Sequence, residues 1–278
     1  LIPIQLLKYT KPGARLCYCG KEPGDHAKTQ SEIHALMLSE AKQGRVVVRL
    51  KGGDPGIFGR VGEEAAICAE HQIPIEVIPG ITSGLAAASY AGIPLTHREY
   101  SSNVAFISGH RSEDNEKKPV NWAAIAGFDT IVVYMGVKHL PMIREQLLKH
   151  GKDPHTPVAV VRSAATGHQQ TSTGTLDDLT AIAQKMQLRA PAVIIIGAVV
   201  SARSWMNWFE RKLLFGRKVL LFGGAQSAQM ERWLNAQGAE TIDVQLSFVS
   251  DSMPMISTVH AHAWNIFVEY MKEWERGR

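Results

Sequence analysis

Two glycines and an aspartate form the strongest candidate binding motif of the sequence. Gly52, Gly53 and Asp54 come directly after Lys51 and the apolar run 46–50. Glycine adopts positive φ and lets the backbone approach a ligand closely, and ligands of open α/β sheets bind at the carboxyl ends of strands. The Asp54 carboxylate could accept hydrogen bonds from a ribose or an amino group, although a plain tight turn has the same pattern. The sequence contains neither a Walker loop nor a Gly-x-Gly-x-x-Gly motif.

Three further features could contribute to the same cleft. Thr82 and Ser83 follow a second glycine turn and precede a helix of small residues, where capping of that helix is the alternative role. Met135 follows an apolar run, where a core position is the alternative. Lys21 follows Gly20 in a loop and could move a proton, although lysines in loops are usually solvated.

The elements that must position these residues alternate between short β-rich runs and helices. A capping box at 29–32 begins a helix, Gly44 ends it, and Ile33, Leu36, Met37 and Ala41 share one face. Further helices are predicted at 84–91, 140–150 and 176–186, and a charged surface loop at 111–119. Most strands are near-continuous apolar runs, which is typical of a largely parallel sheet covered on both faces. The fold class is therefore α/β, with predicted strands at 45–50, 75–78, 104–108, 130–135, 157–162 and 192–199.

Composition excludes several classes of protein. The net charge of +4 comes from scattered basic residues, so nucleic acid is not an expected partner, whereas a polyanionic small molecule would suit the field. The apolar run 190–202 falls short of the roughly 20 residues of a membrane span. Three cysteines, two of them flanking Tyr18 in a predicted strand, do not suggest a disulfide scaffold or a metal site. A reducing cytoplasm fits this composition.

Ordered motifs over residues 1–212 resemble the tetrapyrrole methylase family. The resemblance rests on the motifs themselves and not on composition or periodicity. The matching stretches are 19–21, 30–33, 49–55, 58–64, 79–83, 90–98, 134–136 and 191–197.

The resemblance implies a two-lobed fold with S-adenosyl-L-methionine, the methyl donor, in the cleft between the lobes, and no metal. The lobes would be 1–98 and 99–212, and the chain would form a homodimer. The implied reaction is methylation of uroporphyrinogen III at two ring positions, giving precorrin-2 on the way to sirohaem or cobalamin. Lys21 matches the family's proposed proton donor, and Arg60 and Arg98 are candidates for the carboxylates of the substrate. The implied cofactor contacts are Gly52, Gly53, Asp54, Ile57, Thr82, Ser83, Met135 and Ala164.

The sequence also departs from the family pattern. The family's first glycine-rich loop and a catalytic aspartate would precede Leu1, which suggests a truncated start. Residues 213–278 resemble the beginning of uroporphyrinogen-III synthase, with a strand at 218–222, a helix at 225–237 stopped by Gly238, and a strand at 241–246. Two alternatives stay open: methylation of a later corrin precursor, and a non-catalytic fragment that only binds the cofactor or a tetrapyrrole.

Overall fold

The computed structural model describes residues 2, 4–20, 28–109, 120–222 and 227–244. Helices and strands alternate along them, which confirms the predicted α/β class. Short 3-10 helices lie at Ile4–Tyr9, Val137–His139 and Ala198–Ala202. The remaining elements are α1 (Gln30–Lys42), α2 (Val61–Glu70), α3 (Ser83–Ala91), β1 (Val104–Ser108), α4 (Trp122–Ala126), β2 (Thr130–Tyr134), α5 (Leu140–Lys149), β3 (Pro157–Arg162), β4 (Gln170–Thr175), α6 (Leu179–Lys185), β5 (Ala192–Ile196), α7 (Arg203–Met206), β6 (Lys218–Phe222), α8 (Ser227–Ala236) and β7 (Glu240–Val244).

A five-stranded sheet with the order β1-β2-β5-β3-β4 forms the central region, residues 99–212. Apart from the edge strand β4, its strands send alternate side chains into two separate cores, one on each face of the sheet. In β2, for example, Ile131 and Val133 belong to one core, and Val132 and Tyr134 to the other. Burial on both faces therefore accounts for the continuous apolar runs.

The expectation of a largely parallel sheet is wrong for the central region. Only the pairing of β1 with β2 is parallel, whereas β2–β5, β3–β5 and β3–β4 are antiparallel. Continuous apolar runs report that both faces are covered and carry no information on strand direction. Strand β4 was not predicted, because its polar sequence QTSTGT lacks an apolar run; this sequence suits the edge position that the strand occupies.

The N-terminal region, residues 28–98, contains the predicted helices but not the predicted strands. Residues 45–50 and 75–78 are irregular and pair with no described strand, and Val46 is 94% exposed. An apolar run becomes a strand only where a neighbour completes its hydrogen-bond ladder. The strand expected around Cys17 and Cys19 is likewise absent among residues 11–20.

Helix α1 begins and ends where the sequence predicts. Glu32 donates its backbone N–H to Thr29 Oγ1 at 3.2 Å, and the Glu32 carboxylate accepts the Thr29 N–H at 2.6 Å. These two bonds form the predicted capping box. Gly44 follows the helix with φ of +75°. Ile33 is buried, and the other apolar side chains of its face are half-buried.

The C-terminal region, residues 213–244, contains one β–α–β unit. Strands β6 and β7 are parallel neighbours, and α8 connects them. This agrees with the predicted strand–helix–strand order, although the end of the second predicted strand, 245–246, lies outside the described residues. The predicted loop at 111–119 also lies outside them. Among the helices that the structure describes, none is long and apolar enough to cross a membrane.

Candidate functional site

Two glycine turns lie against each other in the N-terminal region. Gly53 has φ of +76°, and a side chain at this position would lie 3.4 Å from the carbonyl oxygen of Ile81 and from the amide nitrogen of Ser83. A Cβ on Gly80 would overlap the carbonyl oxygen of Gly53. The turns at 52–54 and 80–83 therefore meet backbone to backbone, and Gly52, Gly53 and Ser83 remain exposed.

The Asp54 carboxylate connects the two turns. Its Oδ1 accepts the N–H of Gly56 at 2.8 Å, and its Oδ2 accepts the N–H of Gly80 at 2.9 Å. The N–H groups of Gly80 and Gly56 hold the pKa of Asp54 below its ordinary value, since both bonds favour the charged carboxylate. The side chain thus orders the turn around Gly53.

Tyr134, the last residue of β2, connects the central sheet with α3. Its hydroxyl accepts the N–H of Gly84 at 2.9 Å and lies 2.8 Å from Thr82 Oγ1. Thr82 is the N-cap residue of α3, yet its side chain makes no capping bond. Tyr134 satisfies an N–H at this helix end instead, because the first N–H groups of a helix lack partners within it. We call these contacts the Tyr134 junction.

Met135 follows the Tyr134 junction and is 52% exposed. Its φ is +53°, which is uncommon for a residue with a side chain. The neighbouring Gly136 lies so close to Gly109 at the end of β1 that a Cβ on Gly109 would be 2.6 Å from the Gly136 Cα. The exposed Met135 side chain therefore lies where the segments after β1 and β2 pack tightly against each other.

The loop that carries Ile57 reaches the same place. Ile57 is 37% exposed, and the Phe58 ring lies 5.0 Å from the Tyr134 ring, measured between centroids. Ala164, after the end of β3, packs against the apolar cluster that contains Tyr134. The structure therefore brings Gly52, Gly53, Asp54, Ile57, Thr82, Ser83 and Met135 together, and Ala164 packs on the shared core.

The predicted substrate and proton-transfer residues are less clearly placed. Arg60 forms a two-pronged ion pair with Glu63, with N···O distances of 2.8 and 2.6 Å. Arg98 lies exposed in the turn that follows α3 and makes no ion pair with any described residue. Lys21 lies outside the described residues. The geometry of Arg60 and Arg98 thus assigns no ligand to either side chain.

Glu64 is a buried carboxylate that was not predicted from the sequence. Glu64 on α2 is 5% exposed and binds Lys51 Nζ at 2.5 Å and Arg49 Nε at 3.2 Å. Gln30 Nε2 donates to it at 3.3 Å, and Lys51 also bonds the carbonyl of Gly59. The two basic residues beside the glycine turn, Arg49 and Lys51, therefore pair within the protein. We call this group the Glu64 cluster.

Tyr134 was also missed as a functional residue, although a signal existed. A single tyrosine ends a strand whose other residues are all β-branched, and a buried tyrosine hydroxyl usually needs a hydrogen-bond partner. No comparable signal marks Glu64, because its partners come from two other stretches of chain, 49–51 and the start of α1 at Gln30. In the described part of the chain, no group of three or more His, Cys, Asp or Glu side chains could hold a metal ion.

Comparisons with known proteins show the family of the chain. The family model of tetrapyrrole (corrin/porphyrin) methylases matches residues 5–180. The uroporphyrinogen-III C-methyltransferase of Priestia megaterium is 47% identical over 202 residues, which cover 72% of this chain and 84% of the relative. The sirohaem synthase of Thiobacillus denitrificans is 46% identical over 211 residues, covering 76% of this chain and 44% of the relative.

A solved structure gives the same result. The uroporphyrin-III C-methyltransferase of Thermus thermophilus, complexed with S-adenosylhomocysteine, is 39% identical with a TM-score of 0.55. The match covers 62% of this chain and 74% of the other. Since the family model spans more than half of the sequence and the Priestia relative exceeds 45% identity, the chain belongs to the tetrapyrrole methylase family.

Proposed function

We propose that this chain transfers methyl groups from S-adenosyl-L-methionine to two ring carbons of uroporphyrinogen III, giving precorrin-2 for sirohaem synthesis. The observation that carries the proposal is the junction of glycine turns and strand ends around Gly53, Ser83 and Met135, where the main chain is exposed. The relatives named above and the complex of the Thermus enzyme with S-adenosylhomocysteine support the choice of reaction and of methyl donor.

The residues at this junction fit a nucleoside with an attached amino acid. Glycines at the close approaches leave room for the ligand beside the backbone, and the exposed Ile57 and Met135 side chains offer apolar contact. S-adenosyl-L-methionine, when bound, supplies an electrophilic methyl group. The residues that would hold it are Gly52, Gly53, Asp54, Ile57, Thr82, Ser83, Met135 and Ala164.

The contribution of the protein to the reaction is mainly alignment. Reacting atoms must be held about 3–3.5 Å apart, and a rigid junction that Asp54 and Tyr134 order provides a fixed platform for one of the two reactants. Arg60 and Arg98 would bind carboxylates of the tetrapyrrole through charge-assisted hydrogen bonds. Lys21 Nζ would take part in moving the proton that the substrate releases.

The proposal also covers the organisation of the protein. Residues 1–98 and 99–212 would be the two methylase lobes, and residues 213–278 the start of a uroporphyrinogen-III synthase-like segment. The parallel β6–α8–β7 unit supports the last point. A homodimer in the cytoplasm would follow from the family resemblance.

Calorimetry with S-adenosylhomocysteine tests the proposal. The chain should bind this product analogue, and Asp54→Ala should weaken the affinity by about tenfold or more, since one lost charge-assisted hydrogen bond contributes roughly 1.5–3 kcal/mol. Asp153→Ala is the matched control, because Asp153 accepts the N–H of His155 at 2.7 Å within its own turn, as Asp54 does for Gly56, without bonding a second turn.

Methylation of uroporphyrinogen III is then measured with the same protein. Failure of the chain to bind S-adenosylhomocysteine would refute the proposed function. Binding without methyl transfer to uroporphyrinogen III would support a protein that only holds the cofactor. Equal affinities of Asp54→Ala and Asp153→Ala would remove Asp54 from the site.

A further inference from the structure

The side chain of Gln169 is buried beside the loop that follows β3. It is 4% exposed, and every part of its amide group is used. Its Oε1 accepts the N–H of Ala165 at 2.9 Å, and its Nε2 donates to the carbonyl of Tyr90 at 3.1 Å and to Glu210 Oε1 at 2.8 Å. One side chain therefore joins the loop after β3, the C-terminal end of α3 and the segment after α7.

Glu210 extends this connection to a second carbonyl of α3. Its carboxylate accepts the hydroxyl of Thr171 at 2.6 Å and pairs with Arg203. Arg203 also donates to the carbonyl of Ala91 at 2.6 Å. Burial would raise the pKa of Glu210, but the hydrogen bonds from Gln169, Thr171 and Arg203 lower it overall, so the carboxylate stays charged. We call these contacts the Gln169 bridge.

The loop that Gln169 holds has an unusual backbone. Ser163 and Ala165, on either side of Ala164, have φ of +49° and +62°. Left-handed conformations of residues other than glycine persist only where surrounding contacts enforce them. Within the loop, Thr166 Oγ1 donates to the carbonyl of Ser163 at 2.7 Å. The loop is attached to the rest of the protein by the N–H of Ser163, which donates to the carbonyl of Pro191 at 3.1 Å, and by the bond from Ala165 to the buried Gln169.

Helix α3 is consequently fixed at both ends. The Tyr134 junction holds its first turn, where Thr82 and Ser83 lie, and the Gln169 bridge holds its last turn at Tyr90 and Ala91. The nine residues of α3 span about 13 Å at 1.5 Å per residue. A rigid rod of this length can set the position of Ala164 relative to Ser83.

We propose that Gln169 is a positioning residue for the cofactor, because it fixes the main chain at Ala164 relative to helix α3 and the turn at its first end. The proposal rests on the proposed function, in which Ala164 and Ser83 contact S-adenosyl-L-methionine. Gln169 itself would not touch the ligand.

The first test compares Gln169→Leu with Gln184→Leu. Gln184 is an exposed glutamine on α6 and serves as the matched control. Gln169→Leu should raise the Kd for S-adenosylhomocysteine and the KM for S-adenosyl-L-methionine by about tenfold, because one or two misplaced contacts have this effect. The kcat should stay within about twofold, because the contacts form equally in the ground state and the transition state.

A second variant separates positioning from folding. Gln169→Glu keeps the acceptor for Ala165 but replaces the amide donors with a carboxylate beside Glu210. Protonation of one carboxylate of such a pair returns a donor, and like-charge pairs raise the pKa of one member. The ratio of the Kd for S-adenosylhomocysteine of Gln169→Glu to that of wild type should therefore fall when the pH is lowered from about 8 to about 6. The same ratio for Gln169→Leu should not change with pH.

Three outcomes decide the proposal. Wild-type protein that binds no S-adenosylhomocysteine would refute the proposed function rather than the role of Gln169. Wild-type binding with equal affinity of Gln169→Leu and Gln184→Leu would refute the positioning role. A lowered melting temperature of Gln169→Leu with an unchanged Kd, measured well below that temperature, would make Gln169 a structural residue only and would also overturn the proposal.

Discussion

The N-terminal region and the central region are stabilised in different ways. In the central region, three of the five strands bury their apolar side chains almost completely, and Val160 and Ile194 are 0% exposed. In the N-terminal region, the apolar stretches 45–50 and 75–78 remain irregular, with Val46 at 94% and Ile78 at 67% exposure. Contacts between polar groups, in the Glu64 cluster and around Asp54, connect this region instead.

The difference shows that similar apolar sequences can have different structural roles. The runs 46–48 and 158–161 are both valine-rich. The second lies between β4 and β5 and under helices on both sides, so its backbone and side chains are both satisfied. The first has no described neighbour to complete its ladder. Composition alone cannot distinguish the two cases.

One substitution made in both regions gives the largest expected effect. Val160→Ala should lower the free energy of unfolding by about 3 kcal/mol, from lost burial and the cavity that remains. Val46→Ala should change it by less than about 0.5 kcal/mol, because an exposed side chain loses little on truncation. Urea unfolding followed by circular dichroism measures both values. A loss of more than about 2 kcal/mol for Val46→Ala would show that this stretch is buried in solution.

The same contrast explains what the sequence could predict. Helix bounds followed from local signals, such as the capping box at Thr29 and the glycine at 44, because the bonds that end a helix lie close in sequence. Strand β3 was predicted with its observed bounds because it is an apolar run that ends at Arg162. Strand direction, the polar edge strand β4 and the missing strand at 45–50 depend on partners far away in sequence, so no local pattern could predict them.

The candidate site divides in a similar manner. The glycine turn at 52–54 and Met135 were found from the sequence, since their types and positions after apolar runs are local features. The roles of the buried polar residues depend on partners that are distant in sequence. Tyr134 bonds a residue 50 positions away, Glu64 one 15 positions away, and Gln169 one 41 positions away. These residues are buried polar groups, whose partners only the folded chain reveals.

The Glu64 cluster is the second test of the comparison. Glu64→Gln removes the charge that Lys51 and Arg49 share, and the free energy of unfolding should fall by about 2 kcal/mol. This value lies below the range for a fully buried pair because the Arg49 side chain is 30% exposed. Amide hydrogen exchange in α1 and α2 should accelerate, while exchange in β2 and β5 should stay unchanged. Equal acceleration in the central sheet would show that the two regions unfold together.

Lys42→Met is a suitable control for the charge change in the N-terminal region, because Lys42 lies at the end of α1 and forms no ion pair with a described residue. Its effect on exchange in α1 and α2 should be small, since surface charges contribute roughly 0–1 kcal/mol. If Lys42→Met and Glu64→Gln acted alike, general electrostatics rather than the buried cluster would stabilise the region.

The Tyr134 junction, where the two regions meet, has the smallest expected effect on stability. Tyr134→Phe removes only a hydroxyl, but it leaves the Thr82 hydroxyl and the Gly84 N–H without their partner in a buried position. Such an unsatisfied group costs about 1–3 kcal/mol, and the lower end of that range applies here, since the N–H at a helix end can gain a water molecule. Tyr90→Phe is the matched control, because the Tyr90 hydroxyl makes no hydrogen bond with a described residue while its ring packs against Trp208 and Phe209.

Two measurements distinguish a connection between the regions from ordinary packing. Exchange of the Gly84 amide should accelerate in Tyr134→Phe and not in Tyr90→Phe, because only the first variant loses the bond that protects it. Affinity for S-adenosylhomocysteine should fall in parallel, since Thr82 and Ser83 would no longer be held at the end of β2. If the amide exchanged faster while the affinity stayed at the wild-type value, the junction would join the two regions without ordering the cofactor site.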